Sequence, residues 1–121
     1  MTAPLYKQIA TLIENSIMDG TYRVDQRIPS TNELARFHRI NPATARNGIS
    51  LLVNAGILYK QPGIGMFVSA QASALIQERR DAAFAANYVA PLIDESILLG
   101  FSRSHIHALL DQVAESRGLY E

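Results

Sequence analysis

Cysteine is absent from this chain of 121 residues, and neither sign of charge is in excess. Without cysteine the protein has no disulfide, no thiolate zinc site and no cysteine nucleophile. No apolar run approaches the roughly 18 residues of a membrane span, and the start, MTAPLYKQIA, lacks the charged-then-apolar pattern of a signal peptide. These absences favour a cytoplasmic protein that has no membrane partner.

The charges are few and unevenly distributed. A formal net charge of zero argues by itself against a protein that binds nucleic acid. Residues 1–65, however, contain seven Lys/Arg and four acids, whereas residues 66–121 contain four Arg and seven acids. This division suggests that one half meets phosphate while the other has a different role. The chain length and the hydrophobic content of 48% allow one ordinary core.

Two helices are predicted in the first 40 residues. The first follows Pro4, carries apolar residues at helical spacing and ends at Gly20. The second begins with a capping box, in which the Ser30 hydroxyl accepts a hydrogen bond from the backbone of Glu33 and the Glu33 carboxylate accepts one from the backbone of Ser30. We expect its buried side to comprise Leu34, Ala35 and Phe37.

The third predicted helix is the main functional candidate. Asn41 caps it, Pro42 occupies its first position and Gly56 ends it. We expect its buried face to comprise Ala45, Ile49, Leu52 and Val53. The residues on or beside the opposite face are Ala43, Thr44, Arg46, Asn47 and Ser50.

A hairpin follows the three helices. Residues 57–60 and 66–69 are predicted strands, and the tip between them, Gln61–Gly65, contains glycines that permit positive φ. The linker TYRVDQRI, before the second helix, has the composition to add a very short strand. A helix-turn-helix followed by such a wing predicts a mostly α fold in which residues 1–70 form a winged helix-turn-helix DNA-binding domain.

Residues 71–121 are predicted to form a helical dimerisation segment. One long helix runs from Ala72 to Leu99, and Pro91 inside it is expected to bend or break it. Ser102 caps a last helix. The long helix has nothing to cover if the N-terminal domain closes its own core, and an exposed apolar stripe normally marks association.

The last helix would cover part of the apolar stripe in an intramolecular hairpin, and the remainder fits a two-fold dimer. The alternative to the dimer is a cofactor pocket lined by the long helix. A dimer would place two recognition helices about 34 Å apart, one turn of DNA, or a multiple of it. The residues expected in the dimer interface are Leu75, Ala82, Ala86, Val89, Ile93, Ile97, Ile106 and Leu110.

The start of the third helix is suited to contact DNA, because the helix dipole and free N–H groups favour an anion there. Thr44 is suited to a phosphate or base edge, Arg46 to guanine or phosphate, and Asn47 to adenine. An ordinary solvated helix face is the alternative. The wing residues expected along the DNA backbone or in the minor groove, unless they form only a hairpin turn, are Lys60, Gln61, Gly63 and Gly65.

Several polar residues near this surface have sufficient local explanations. Ser30 and Asn41 act as caps, so a phosphate contact would be an additional role. Glu33 is better explained as a capping partner than as a general base. Tyr6 and Lys7 are better explained as a packing Tyr and a solvated Lys than as phosphate contacts.

No catalytic or metal site is predicted. His105 and His107, two residues apart on a helix, point to different sides, and the adjacent Asp94 and Glu95 also diverge. Nothing pairs a nucleophile with a base. We therefore expect neither an enzyme nor a bound metal or cofactor.

Four segments together resemble the N-terminal domain of GntR-type bacterial transcription regulators. Within residues 4–68 these are PLYKQIATLIENSIMDGTY, IPSTNELARFHRI, the Asn-Pro-x-Thr start of the third helix, and Gly-x-Gly-x-Phe-Val in the wing. The Asn41-Pro42-Ala43-Thr44 sequence and the short two-helix C-terminal part resemble the YtrA subfamily. That resemblance implies a protein without a sizeable effector domain that dimerises through those helices.

The resemblance also implies which residues contact DNA. It adds Asn32, just ahead of the acid in the second helix, and Ala43 to the candidates from the third helix and the wing. The complete set expected at DNA is Ser30, Thr31, Asn32, Asn41, Ala43, Thr44, Arg46, Asn47, Lys60, Gln61, Gly63 and Gly65.

Five positions depart from the pattern of these relatives, among them Ala45, which like Gly48 replaces a larger or more helix-favouring residue. Many relatives have a basic residue at Pro42, and Asn32 is often Arg. Asp25 stands where glycine is frequent, and Gly48 should cost about 1 kcal/mol of helix stability relative to Ala. The departures imply a modest affinity that depends on dimerisation.

We therefore expect a homodimeric winged-helix transcription regulator that represses from a pseudo-palindromic operator. The subfamily resemblance implies control of an operon that includes transporter genes. An unidentified small-molecule effector is a further candidate partner. The alternative is a winged-helix module that binds protein and not DNA.

Overall fold

The computed structural model describes residues 3–121, which divide into two compact units, one ending at Arg80 and the other formed by Asp81–Glu121. The mostly helical class with a small wing is confirmed. Residues Ala85–Val89 form a π-helical turn. The elements are α1 (Leu5–Met18), α2 (Thr31–His38), α3 (Pro42–Asn54), β1 (Leu58–Gln61), β2 (Gly65–Val68), α4 (Ala72–Phe84), α5 (Ala90–Leu98) and α6 (Arg103–Ser116).

Local hydrogen bonds fix the starts of α2 and α3 as the sequence predicts. The Ser30 hydroxyl accepts from the Glu33 N–H at 3.1 Å, and the Glu33 carboxylate accepts from the Ser30 N–H at 3.2 Å. The Asn41 side chain accepts from the Ala43 N–H at 2.8 Å. Between these helices Arg39 adopts a left-handed conformation with φ of 54°. The caps and this tight turn define the helix-turn-helix.

The core of the first unit draws apolar side chains from all of its elements. Burying a side chain such as Ile or Leu stabilises a fold by about 1.5–3 kcal/mol, so a core of this size accounts for a stable small domain. Its members are Ile9, Ala10, Ile13, Ile17, Ile28, Leu34, Ala35, Ala45, Ile49, Leu52, Ile57, Leu58, Val68, Ala72 and Ile76.

Phe37 is not part of this core, although the sequence predicts that it is buried. The ring is 83% exposed and stacks edge-on with His38 at a centroid distance of 5.0 Å. Leu34 and Ala35 are adjacent, so the buried face of α2 is centred between them, and at 100° per residue Phe37 falls about 110° away from that centre. The short helix therefore points this ring outward.

The beginning of α4 completes the core of the first unit. Ala72 and Ile76 are fully buried, and Leu75 is half-buried against the same cluster. The N-terminal part therefore does not close its core without the long helix, whose beginning has a surface to cover. Leu75, predicted at the dimer interface, has a packing role inside the unit, which extends beyond the expected boundary at residue 70.

The wing is a two-stranded antiparallel hairpin, with Leu58 opposite Val68 and Gln61 opposite Gly65. The linker before α2 adds an isolated bridge to it, as predicted, from Arg27 to Phe67. Asp25 adopts a φ of 63°, which explains why glycine suits this position. The Tyr59 hydroxyl donates a hydrogen bond to Asp25 at 2.8 Å and thereby ties the linker to β1.

The second unit begins in α4 and contains the π-helical turn. Residues Phe84 and Ala90, on either side of the turn, keep right-handed helical geometry, so Pro91 does not break the helix. The Ala90 N–H donates to the carbonyl of Ala85, five residues back. A proline ring clashes with the carbonyl four residues earlier, here Asn87, and a wider turn gives that carbonyl room.

Helices α5 and α6 of the second unit enclose an apolar groove of about 310 Å³. Ser102 caps α6 by accepting from the His105 N–H at 3.1 Å. Ser96, which donates to the carbonyl of Leu92, is the buried residue of this unit, and no apolar side chain within Asp81–Glu121 reaches the same burial. No helix in residues 3–121 has the length and apolar character that crossing a bilayer requires.

Candidate nucleic-acid interface

Helix α3 separates its residues onto two faces, as its sequence predicts. Ala45, Ile49 and Leu52 are buried, whereas Arg46 and Asn47 are exposed. Thr44, near the start of the helix, is half-buried. The exposed face begins at the positive end of the helix dipole, where a phosphate group is favoured.

Arg46 and Asn47 are available for an external contact. Neither side chain makes a hydrogen bond or ion pair with another residue of the part that the structure describes. A guanidinium offers two parallel donors to guanine or phosphate, and a carboxamide matches the donor and acceptor of adenine. The pair therefore presents two unpartnered polar side chains, chemically suited to base edges, on one exposed surface.

Gly48 allows α3 to lie directly against α1. A Cβ at this position would come within 2.8 Å of the backbone oxygen of Tyr6 and 3.2 Å of the Ile9 side chain. From the sequence this glycine is only a weak point of the helix. In the fold it permits close packing, and the resulting contact holds the exposed face of α3 in a fixed position on α1.

The caps of α2 and α3 have the structural roles expected of them. The hydrogen bonds from Ser30 hold the pKa of the Glu33 carboxyl below its ordinary value, so Glu33 is ionised and committed to the capping box. In the first turn of α2, Thr31 is half-buried and Asn32 is exposed. Asn41 is exposed beside the first turn of α3.

The wing ends in a tight turn whose geometry requires glycine. The Ile64 N–H donates to the carbonyl of Gln61 at 3.0 Å, and Gly63 has a φ of 76°. Lys60, Gln61 and Gly63 are exposed, whereas Gly65 is half-buried. The tip is therefore a small exposed loop with a lysine at its base.

Arg27 is a basic residue at the wing that sequence reasoning missed. A Cβ on Gly65 would come within 2.7 Å of its Nε atom, so the arginine side chain lies against the bare backbone of β2. The linker bridge at Phe67 brings Arg27 there. The position of Arg27 beside the wing could have been inferred from two signals, the predicted short strand in TYRVDQRI and the glycine at the start of β2.

The segment that holds these elements is basic. Residues 27–68 contain five Lys/Arg and a single acid, Glu33, which is engaged in capping. Arg36 and Arg39 are exposed beside the turn between α2 and α3. The charge of this segment suits a polyanion far better than the net charge of the chain suggests.

The structure offers no cluster for a metal ion. Within residues 3–121 no group of three or more His, Cys, Asp or Glu side chains converges. His105 packs edge-on against Phe101 at a centroid distance of 4.5 Å, and His107 is exposed. The exposed face of α3 and the wing therefore remain the functional candidates.

The residues expected at a dimer interface are mostly exposed on the second unit. Ile106 is half-buried. A groove of about 630 Å³ between α5 and α6 is lined by Val89, Ile93, Ile97, Ile106 and Leu110 among others. Those exposed are Ala82, Ala86, Val89, Ile93, Ile97 and Leu110.

Comparison with known proteins identifies one family for residues 5–68. The family profile described as bacterial regulatory proteins, gntR family, matches residues 5–68. The HTH-type transcriptional repressor NagR of Bacillus subtilis is 39% identical over 66 residues, which are 54% of this chain and 27% of NagR. The chain thus spans about a quarter of the length of the curated relatives that it matches.

Solved structures resemble this fold over different lengths. A GntR family transcriptional regulator from Listeria monocytogenes has a TM-score of 0.73 and 28% identity, and the match covers 92% of this chain and 96% of that one. AraR(DBD) in complex with operator ORR3 has a TM-score of 0.55 and 36% identity over 57% of this chain and 83% of that one. The first likeness includes the helices beyond the wing.

Proposed function

Because this chain belongs to the gntR family of bacterial regulatory proteins, we propose that it is a sequence-specific DNA-binding transcription regulator. The observation that carries this proposal is the exposed, unpartnered pair Arg46 and Asn47 on a helix whose opposite face is locked into the core. Such a helix fits the major groove, where its first turns meet base edges. AraR(DBD), a similar domain, is known in complex with operator DNA.

The caps and the wing would complete the DNA-binding surface. Asn32, Asn41 and Thr44 stand beside the first turns of α2 and α3, where phosphate contacts would position the protein without reading sequence. The wing residues Lys60, Gln61, Gly63 and Gly65 would follow the backbone or enter the minor groove. The complete proposed surface also includes Ser30, Thr31, Ala43 and Arg27.

We propose that the functional form is a homodimer built through the second unit. Ile97 is 70% exposed, and the other expected interface residues offer an apolar surface that a monomer would leave in water. A two-fold dimer would cover this surface and present two copies of α3 to a pseudo-palindromic operator. The helical segment after the wing, α4 to α6, supports membership of the YtrA subfamily.

The regulatory role follows from these two features. A dimer bound across an operator would block transcription, and similarity to NagR, named as a repressor, favours repression over activation. By subfamily resemblance we propose control of an operon that includes transporter genes, with the protein acting in the cytoplasm. A small-molecule effector that releases the operator is part of the same proposal, without an assigned site.

Selection of bound sites from a random DNA pool would test the proposal. The expected outcome is a pseudo-palindromic consensus with a fixed half-site spacing. Affinity for that consensus should fall steeply between about 50 and 200 mM salt, because phosphate contacts release counterions. A chain without salt-dependent affinity for any selected DNA would instead be a protein-binding winged helix.

A further inference from the structure

A charged network joins α1 to α4 within the first unit. The Glu14 carboxylate pairs with the guanidinium of Arg79 and lies 3.6 Å from that of Arg80. Arg80 also donates to the side-chain oxygen of Asn15 at 2.8 Å. The network connects residues 65 positions apart, one pair near the end of α1 and the other in α4.

The burial of Glu14 sets it apart from an ordinary surface charge. Its side chain is only 10% exposed, and its neighbours Ile13 and Ile17 on α1 belong to the apolar core. A carboxylate in such a place loses hydration and is tolerated only when it is paired. An apolar side chain would fill the space without that cost. What the carboxylate adds is a directional link to two arginines.

The two arginines lie where α4 passes from the first unit into the second. They are the last two residues of the first unit, and α4 continues beyond them without interruption to Phe84 in the second. The buried residues Ala72 and Ile76 anchor the first turn of α4 and the turn after it. The Glu14 network adds a third attachment at the point where the helix leaves the core.

Helix α1 is also the support of the candidate recognition helix. Gly48 of α3 packs against Tyr6 and Ile9 in the first half of α1, while Glu14 and Asn15 hold α4 in its second half. Contacts with α1 therefore position both the exposed face of α3 and the end of α4 that leaves the core. Any change in how α4 is held on α1 alters its direction relative to α3.

We propose that Glu14 and Arg79 form a positioning clamp that fixes the direction in which α4 leaves the DNA-binding unit. In the dimer of the proposed function, on which this inference rests, the clamp sets the separation of the two α3 helices. It thereby determines which operator half-site spacing is accepted. One inserted base pair displaces and rotates a half-site by about a tenth of a DNA turn, which a rigid dimer resists.

The absence of cysteine makes a direct distance measurement available. Asn54→Cys introduces a label site at the exposed end of α3, and a spin label there reports the separation of the two recognition helices by pulsed dipolar spectroscopy. A narrow distance distribution is expected in this background. Glu14→Gln should broaden it, whereas Glu78→Gln, which removes the same charge from an exposed position on α4, should not.

Operators of altered spacing provide the second readout. With one base pair inserted between half-sites, the natural protein and Glu78→Gln should lose about ten-fold in affinity, but Glu14→Gln only about three-fold. Arg79→Ala removes the half-exposed partner and should behave like Glu14→Gln even if the buried variant folds poorly. Affinity for a single half-site should not change in any of these proteins.

The outcomes separate the clamp from the proposed function. Unchanged distance distributions and an unchanged spacing preference in folded Glu14→Gln or Arg79→Ala would overturn the clamp alone. Absence of a dipolar signal in every sample would overturn the dimer and the clamp together. If the variants changed only the melting temperature and not the preferred half-site spacing, Glu14 would have a purely structural role. That result would also overturn the clamp.

Discussion

The two units of this chain differ in where their apolar side chains lie. Up to Arg80 the apolar residues form a closed core to which every helix and the wing contribute. From Asp81 onward no described apolar residue is fully buried, although large side chains such as Ile97 and Leu98 are present. The first unit buries its own apolar core, whereas the second leaves large apolar side chains exposed, as surfaces that associate do.

The charges divide in the same way. Residues 27–68 carry five basic groups and one acid, whereas residues 81–121 carry two arginines and six acids. Phosphate would attract the first segment and repel the second. Few base-reading groups are present on one α3, so two copies on one DNA would supply affinity that a single domain lacks. In the proposed dimer, the unit without a closed core would bring the second copy to the DNA.

The largest effect is expected from placing a charge on the exposed apolar surface. Ile97→Asp should yield a monomer and weaken operator binding by roughly 100-fold or more, because bivalent attachment is lost. Analytical ultracentrifugation and fluorescence anisotropy would measure the two changes. The matched control is Ile64→Asp at the wing tip, which should leave the oligomeric state unchanged. A monomeric Ile97→Asp protein with full operator affinity would refute the view that the second unit strengthens DNA binding by joining two copies.

The same truncation, Ile to Ala, should destabilise the first unit strongly and the second hardly at all. In a monomeric Ile93→Asp background, Ile49→Ala should lower the free energy of unfolding by about 2–5 kcal/mol, because it leaves a cavity in the core. Ile97→Ala should change it by no more than about 0.5 kcal/mol. Urea denaturation measures both. Equal losses would mean that the second unit has a core of its own.

A third comparison concerns two exposed arginines. Arg46→Ala should cost about 1–3 kcal/mol of binding free energy at the cognate half-site and leave the dimer intact. Arg103→Ala removes the same charge from the second unit and should have little effect on binding. A gel-shift titration at fixed salt distinguishes them. Equal affinities of the Arg46→Ala and natural proteins would remove Arg46 from the DNA-reading set.

The smallest effect is a dependence of stability on pH that arises in the first unit. Hydrogen bonds from Ser30 lower the pKa of Glu33 in the folded state. Their contribution is therefore fully present above the unfolded pKa, about 4.3, and is lost as the pH falls through the lower folded value. In thermal melts Glu33→Gln should be slightly less stable near neutral pH and should lose less on acidification. Parallel melting curves would contradict this role for Glu33.

Sequence patterns predicted the features that depend on neighbours within a few residues. The capping box at Ser30, the Asn41 cap and the glycine-containing wing turn all appear where they were expected. Each depends on groups no more than four positions apart, so composition and spacing are sufficient. The exposed candidates on α3 follow from the same helical period.

Features that depend on distant segments were not predictable in the same way. Gly48 has a packing role only because Tyr6 lies against it, and Arg27 reaches the wing only because the linker pairs with β2. Phe37 was predicted in the core because it is apolar and close to Leu34 and Ala35, but at 100° per residue it lies about 110° from the centre of the buried face of α2. Leu75 contributes to packing in the first unit because that core is open without α4.

The sequence by itself determined the order of elements, their caps and the basic character of residues 27–68, since these depend on covalent neighbours and on composition. Tertiary structure alone decided that Glu14 meets Arg79 across 65 positions and that Gly48 seats α3 on α1. It also decided that no described apolar residue after Asp81 is fully buried. Burial and pairing depend on which surfaces meet, and one-dimensional periodicity does not specify the partner of a face.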